Sequence, residues 1–369
     1  MPSSPDPRPV LVAGASGYLG SFLTKELLRR GVPVRALVRH ADSPAAAALA
    51  AAGADVVAAD VTRPGALVGV CDGCRAVASC LAADMHWRGG TPDSVDRDAN
   101  IALFQEAAAQ EPAGQSKGGR AAAAGGTADA SGSTLPASSS GVERFVLVAT
   151  YEGREAKASI PMQRAKEAAV DHIEQMAGEY GLSWTIIRPT AYFKDFTDMP
   201  WKHMQSHDWM LVPGGGRSRY NPIDGAELAR FMADCLLEGK CANEEVRIGG
   251  PQTLTFREVI YEAAEAHGKP RERVRILPLP IGLLRLAAAI AWLLGLVWQP
   301  AAAVDSALRF MIYSTTHDSI GMCYGSRTVA DHYRDLAQQA QQVQQQQHGE
   351  RQPLVQQAPG DGGGDKKAD

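Results

Sequence analysis

A doubly wound α/β fold with a parallel sheet and a smaller C-terminal lobe is predicted by three features of this 369-residue chain. Short apolar runs alternate with helical stretches along most of its length, which is the pattern of strands that need crossover helices between them. A glycine-rich turn joins the first apolar run to the first helix. The 45% hydrophobic content can bury a full α/β core and a second, smaller one;.

The first strand is Val10-Leu11-Val12-Ala13, followed by Gly14-Ala15-Ser16-Gly17-Tyr18-Leu19-Gly20 and by the helical stretch Ser21 to Arg30. Strand, turn and helix in that order are the context in which a glycine triplet marks a dinucleotide site. The first glycine permits the tight turn, the second lets backbone approach the pyrophosphate, and the third lets helix pack on strand. The helix N-terminus then offers its unpaired N–H groups to the anion. Gly14, Ser16, Gly17, Tyr18, Leu19 and Gly20 are therefore expected to hold the cofactor. The second strand, Val34 to Val38, ends in Arg39-His40, where an NAD site would carry Asp or Glu for the ribose hydroxyl;. A guanidinium forks two donors onto one phosphate, so Arg39, helped by His40 or Arg35, predicts NADPH over NADH. The competing reading is a solvated surface arginine.

Further strands are expected over 55–59, 76–80, 144–149 and 183–187. Right-handed crossovers impose the Rossmann order, with the ligand crevice at the carboxyl ends of the strands. Residues directly after each strand thus become candidates. Asp60 and Val61 should reach the adenine, although Asp60 could equally cap a following helix. Leu81 and Ala82 should line the nicotinamide side, and Pro189 and Thr190 should cover it. Tyr192, Phe193 and Lys194 follow the sixth strand at the crevice mouth and are expected to touch substrate.

The chain divides into an N-terminal extension (1–8), a Rossmann domain (9–220), a C-terminal lobe (221–337) and a Gln/Gly-rich tail (338–369). Residues 110–140, almost wholly Ala, Gly, Ser, Thr and charged residues, read as a disordered insertion, because they cannot bury enough apolar surface to offset their ordering entropy;. The tail reads the same way. Residues 281–298 are strongly apolar, but Arg285 within them and Pro278, Pro280 and Pro300 around them argue against a membrane span;. A helix packed on the lobe and peripheral membrane contact through Trp292 and Trp298 are both open.

Acidic residues (41) outnumber basic ones (37), so no basic footprint for nucleic acid exists;. Six cysteines without a secretory signal read as reduced thiols of an intracellular protein;. Cys71 and Cys74, a lone CxxC, suit a helix end and turn better than zinc. His203 and His207 lack the intervening carboxylate of a helical metal motif, and no metal is expected. Only nine residues precede the first strand, and no transit peptide is expected within them.

Beyond the glycines, several runs resemble the atypical, NmrA-like branch of the short-chain dehydrogenase/reductase superfamily. They include Val77 to Ala82, Gln163-Arg164-Ala165-Lys166, Ile187 to Lys194, Phe231 to Cys235, and Ile248-Gly249-Gly250-Pro251. Arg188-Pro189-Thr190-Ala191-Tyr192-Phe193-Lys194 is the most specific, and it is most similar to divinyl chlorophyllide 8-vinyl reductases and their relatives. The resemblance spans roughly Pro9 to Leu336 and implies that Asn221-Pro222-Ile223 begins the substrate lobe. It also implies that Lys166 binds the nicotinamide ribose, and that a tyrosine should stand four residues earlier to protonate a carbonyl oxygen. That position is Met162, and the usual serine partner is replaced by Ala149-Thr150-Tyr151, where Thr150 or Tyr151 could substitute. A missing phenol weakens the case for alcohol–ketone interconversion, since a developing alkoxide needs a positioned acid. It leaves room for hydride transfer to a conjugated double bond, with Tyr192 as a candidate acid and Lys166 as a catalytic partner. The resemblance thus implies a small hydrophobic substrate such as a tetrapyrrole, and chloroplast residence; otherwise the protein would be cytoplasmic. A non-catalytic NADPH-binding sensor or assembly factor, and a quinone or carbonyl reductase, stand as alternatives.

Overall fold

The computed structural model describes residues 6–84, 89–110 and 141–350. The expected insertion, from residue 111 to 140, lies outside the described residues, as do residues 351–369. Twelve strands are described: β1 (Val10–Ala13), β2 (Val34–Val38), β3 (Asp55–Ala58), β4 (Ala76–Ser79), β5 (Arg144–Val148), β6 (Ser183–Pro189), β7 (Trp209–Pro213), β8 (Arg219–Tyr220), β9 (Glu244–Gly249), β10 (Leu254–Thr255), β11 (Arg275–Leu279) and β12 (Met322–Cys323). The α-helices are α1 (Tyr18–Arg29), α2 (Pro44–Ala51), α3 (Asn100–Ala109), α4 (Gly153–Ala156), α5 (Pro161–Tyr180), α6 (Phe193–Ser206), α7 (Gly225–Glu238), α8 (Phe256–Ala266), α9 (Ile281–Gly295), α10 (Gln299–Thr316) and α11 (Val329–Glu350).

Eight strands form one parallel sheet in the order β3-β2-β1-β4-β5-β6-β9-β12. The order reverses between β1 and β4, which opens the ligand crevice at their carboxyl ends. Both strands are buried along their whole length, which is why they read as unbroken apolar runs;. Leu19, Leu23 and Leu27 of α1 and Leu228, Phe231 and Met232 of α7 cover one face of the sheet. Leu103 and Phe104 of α3 with Val170 and Ile173 of α5 cover the other. A third core, of Met204, Met210, Val259, Ile260 and Tyr333 among others, holds the C-terminal lobe.

The lobe does not begin at residue 221. Helix α7 and strand β9 join the main sheet layer, whereas α6 and β7, expected in the Rossmann domain, pack in the lobe core. Gly225 makes the first exchange possible: a Cβ there would stand 2.8 Å from the Phe22 ring, so only glycine lets α7 close on α1. The tail expectation is corrected as well. Helix α11 starts at a reciprocal cap, with the Asp331 amide donating to Thr328 Oγ1 and the Thr328 amide to Asp331 Oδ2;. It then continues through Ala- and Gln-rich sequence to Glu350, because both residues are good helix formers;.

Helices α9 and α10 form a hairpin. Leu284, Ala288 and Ala291 of α9 are buried, while Leu286, Ile290, Leu293 and the turn residues Val297 and Trp298 are exposed, Val297 at 88%. Among the described residues, no helix is long and apolar enough to cross a membrane.

Candidate cofactor groove and active site

The glycine turn is built as its spacing requires. Gly14 has φ +75°, and a Cβ there would lie 3.0 Å from the Cys80 carbonyl oxygen at the end of β4. The loops after β1 and β4 therefore meet across the switch point only if position 14 has no side chain. A Cβ on Gly20 would lie 2.2 Å from the Gly14 oxygen, so this glycine lets α1 close on the turn itself. Ser16 and Gly17 are exposed, Leu19 is buried beneath them, and α1 starts without a side-chain cap or an acidic residue in its first turn. By contrast, Asp224 accepts the Ala226 and Glu227 amides at the start of α7. The α1 N-terminus thus keeps its donors and its positive dipole end for an anion.

At the end of β2, Arg39 is exposed and makes no hydrogen bond or ion pair among the described residues; its guanidinium lies over Gly89, where a Cβ would come within 2.1 Å of Nη1. Arg35, a suggested helper, is excluded by its direction. It sits near the start of β2 and donates to the Val70 and Asp72 carbonyls at 2.9 and 2.8 Å. Asp60 caps no helix, because the segment after it forms turns. It instead accepts from the Thr62 amide and hydroxyl at 3.1 and 2.7 Å, with Arg63 beside it. These bonds hold its carboxyl below the ordinary carboxylate range. Val61 packs against the sheet core. In the following turns Cys71 and Cys74 are buried free thiols, pushed up by desolvation.

Lys166 is almost fully buried, and its Nζ donates to the Leu81 carbonyl at 2.6 Å and pairs with Asp96 at 2.9 Å. Asp96 also accepts the Ala83 amide at 3.2 Å, so one carboxylate fixes both the lysine and the loop after β4. Asn100 extends the same cluster, accepting from Ser79 Oγ at 2.5 Å and donating to the Asp96 carbonyl at 2.9 Å. The sequence reading missed Asp96 and Asn100. Asp93, Asp96 and Asp98 look alike in sequence, and only the π-helical turn over Asp93–Ala99 buries Asp96 while leaving Asp93 and Asp98 outside on Arg97. An ammonium has three donors. Two are used here, and the third has no partner among the described residues. Ala82, next to Leu81, is exposed.

Tyr192 follows β6 and packs edge-on against Tyr18, ring centroids 5.6 Å apart, with Lys194 Nζ 5.6 Å from the centre of the Tyr18 ring. Desolvation pushes the Tyr192 phenol far up and lifts Tyr18 to about 12. Both hydroxyls therefore hold their protons at neutral pH. Cys80, close enough to feel Lys166, is pushed up to about 12 by burial. Phe193 does not join this group: it is 1% exposed within the lobe core, which removes it from the substrate surface. Thr190 is tied to the Asn221 carbonyl at 2.7 Å, while Pro189 is the buried last residue of β6. Thr150 Oγ1 donates to buried Gln163 Oε1, and Tyr151 Oη donates to the Ile320 carbonyl at 2.9 Å. Met162 stands one helical turn before Lys166 on α5, half-buried. His203 and His207 stack on each other at the end of α6, 4.4 Å apart, well removed in sequence from these residues.

A family model described as NAD(P)H-binding matches residues 14–238. The chain is similar to the chloroplastic divinyl chlorophyllide a 8-vinyl-reductase of Oryza sativa subsp. indica, 28% identical over 88% of this chain and 72% of that protein. It is also similar to the Zea mays protein of the same name, 31% identical over 66% of this chain, where it spans 55% of the relative's length. Among solved structures, the triphenylmethane reductase of Citrobacter sp. complexed with NADP(H) has this fold, with TM-score 0.62 and 19% identity over 89% of this chain and 99% of that one. The open α1 N-terminus, the side-chain-free turn and the spare lysine donor suit the cofactor that these matches share. The chain belongs to the NAD(P)H-binding family and is an NAD(P)H-dependent oxidoreductase.

Proposed function

We propose that this protein uses NADPH to reduce a conjugated double bond of a flat, hydrophobic substrate, with the 8-vinyl group of divinyl chlorophyllide as the first candidate. The observation that carries the reading is the pairing of a tethered, buried Lys166 with Met162, so that a fixed ammonium borders the groove where the superfamily's phenol is missing. NADPH, when bound, supplies the hydride. Lys166 orients the nicotinamide ribose through its third donor, the Leu81-Ala82 loop lines that side, and Pro189 and Thr190 cover it. Arg39 takes the 2′-phosphate, with Asp60 and Val61 toward the adenine. Tyr192 is the catalytic acid of this reading: its raised phenol starts protonated, and charge delocalised into a conjugated acceptor demands less of an acid than an alkoxide does. Lys194 borders it, and Thr150 and Tyr151 form the facing wall. Residence in the chloroplast goes with this substrate and draws on the plant relatives.

The exposed apolar residues of α9 favour peripheral contact with a bilayer as part of the same reading, a lipid surface from which such a substrate could be drawn;. Vesicle co-sedimentation that survives replacement of Leu286, Ile290 and Leu293 by glutamate would reject that contact. The main test is anaerobic incubation with NADPH and divinyl chlorophyllide, followed by chromatographic separation of divinyl and monovinyl pigments. Monovinyl product that falls at least tenfold in Lys166→Ala is expected. No product from protein that binds NADPH would turn the reading toward a cofactor sensor, with quinones the next acceptors to try.

A further inference from the structure

Under the α9–α10 hairpin lies a cavity of about 390 Å³, within the roughly 300–1,000 Å³ of small-molecule sites. Arg285 and Ala288 of α9 form one wall, and Arg309, Ile312 and Tyr313 of α10 recur at helical spacing on the other;. Ile160 lines it too, two residues before Met162, so the recess adjoins the end of α5 where the phenol is missing. Arg285 is the one ionisable side chain in the fifteen residues of α9, and it makes no ion pair or hydrogen bond among the described residues. Arg309 is held by Asp305 at 2.7 Å, so Arg285 is the guanidinium on this mainly apolar surface that no carboxylate pairs among the described residues. Tyr313, its ring stacked on His317 at 4.1 Å, adds a hydroxyl that burial and the neighbouring Glu152 push up to about 12. Arg285 is itself exposed at the edge of the recess, and a guanidinium bordering an apolar recess suits a ligand that is apolar over most of its surface and ends in a carboxylate, which the planar fork grips with two donors;.

We propose that this recess is the subsite for the carboxylate of an apolar acid substrate, with Arg285 as the specificity-determining residue and Arg309 as its fixed neighbour. The inference deepens the reductase reading and rests on it for the reaction, though not for the binding. An anionic lipid headgroup offers the same chemistry, and the experiment separates the two. Full-length protein saturated with NADP⁺ is titrated with divinyl chlorophyllide a and with its methyl ester, following pigment absorbance. The acid is expected to bind about tenfold more tightly than the ester. Arg285→Gln should bring the two within about twofold, with Arg285→Lys intermediate. In turnover the same variant should raise KM for the acid and leave kcat unchanged. Equal affinities for acid and ester in the unsubstituted protein overturn the subsite, and so does an acid preference that persists in Arg285→Gln. An Arg285 effect confined to vesicles containing phosphatidylglycerol assigns the charge to lipid and overturns it as well. Arg285-dependent preference for the acid without any reduction supports the subsite and counts against the proposed reaction alone.

Discussion

Two buried cations lie within this fold, and their surroundings differ in one respect that separates framework from site. Arg188 uses four of its five donors: Nη1 reaches Glu167 at 2.6 Å and the Thr150 carbonyl at 2.9 Å, Nη2 reaches Glu167 at 2.9 Å, and Nε reaches Glu245 at 2.6 Å. It thereby ties β6 to α5 and β9, and Arg154 extends the network to Asp171, Glu174 and Glu245. Lys166 uses two of three donors, one on the Leu81 carbonyl after β4 and one on Asp96 of the π-helical turn. Both pairs are nearly dry, so burial alone does not mark a functional residue. Each leaves one donor over, and what separates them is place: Lys166 lies against the loop after β4, beside the crevice;.

The largest expected effects follow from that contrast. Arg188→Ala should cost about 3–5 kcal/mol, because it strands Glu167 in a site that is 0% exposed;. NADPH affinity of the protein that stays folded should change little. Lys166→Met should cost a comparable amount by stranding Asp96 and should also weaken NADPH about tenfold. Adding Asp96→Asn to Lys166→Met removes the stranded charge, and should recover most of the stability but none of the affinity. Urea unfolding and fluorescence titration of the four proteins measure this directly. Affinity restored by the double substitution would place Lys166 in the framework with Arg188 and erase the distinction.

The same contrast explains what could be read in the sequence. The glycine turn and the first six strands were legible because each rests on local spacing, in period or turn chemistry, whereas Lys166 was singled out only through the resemblance. Strand β2 matches its expected span of Val34 to Val38, and β6 runs two residues beyond its expected end. Asp96 was illegible because its burial depends on a π-helical turn between two outward-facing aspartates. Phe193 was misread because adjacent residues at a helix start point in different directions, Tyr192 toward Tyr18 and Phe193 into the lobe. The lobe boundary failed for a topological reason, since the chain leaves the sheet layer for α6 and β7 and returns with α7 and β9.

An exposed cation extends the comparison with a smaller effect. Arg39 shares no buried partner among the described residues, so Arg39→Ala should leave stability within about 0.5 kcal/mol;. If it takes the 2′-phosphate, the same substitution should reduce the preference for NADPH over NADH by about 10- to 100-fold, equivalent to roughly 1.4–2.7 kcal/mol. Dissociation constants for both nucleotides give the ratio. An unchanged ratio would mean that selectivity lies elsewhere, His40 being the next residue to test.

The smallest effect concerns a partly exposed pair, where solvent should blunt what burial amplifies at Arg188. Glu26 on α1 bonds Arg29 at 2.8 Å and Arg30 at 2.7 Å, and Arg30 reaches Asp234 on α7 at 2.8 Å, so the cluster staples the two helices on one face of the sheet. The hydrogen bond from Arg29, aided by Arg30 and opposed by burial, lowers the Glu26 carboxyl from 4.5 to about 2. The folded value lies below the unfolded one, so the folded state favours the ionised carboxyl. Its stabilising contribution is therefore complete above about pH 4.5 and is lost as pH falls toward 2. Glu26→Gln should lower stability slightly at neutral pH and flatten the acid limb of the stability curve over that window. Urea midpoints for both proteins between pH 2 and pH 6 test it. Parallel curves would show that the ion pair contributes nothing measurable, as many surface pairs do, and that the α1–α7 contact rests on its apolar packing, Leu23, Leu27 and Phe231 included.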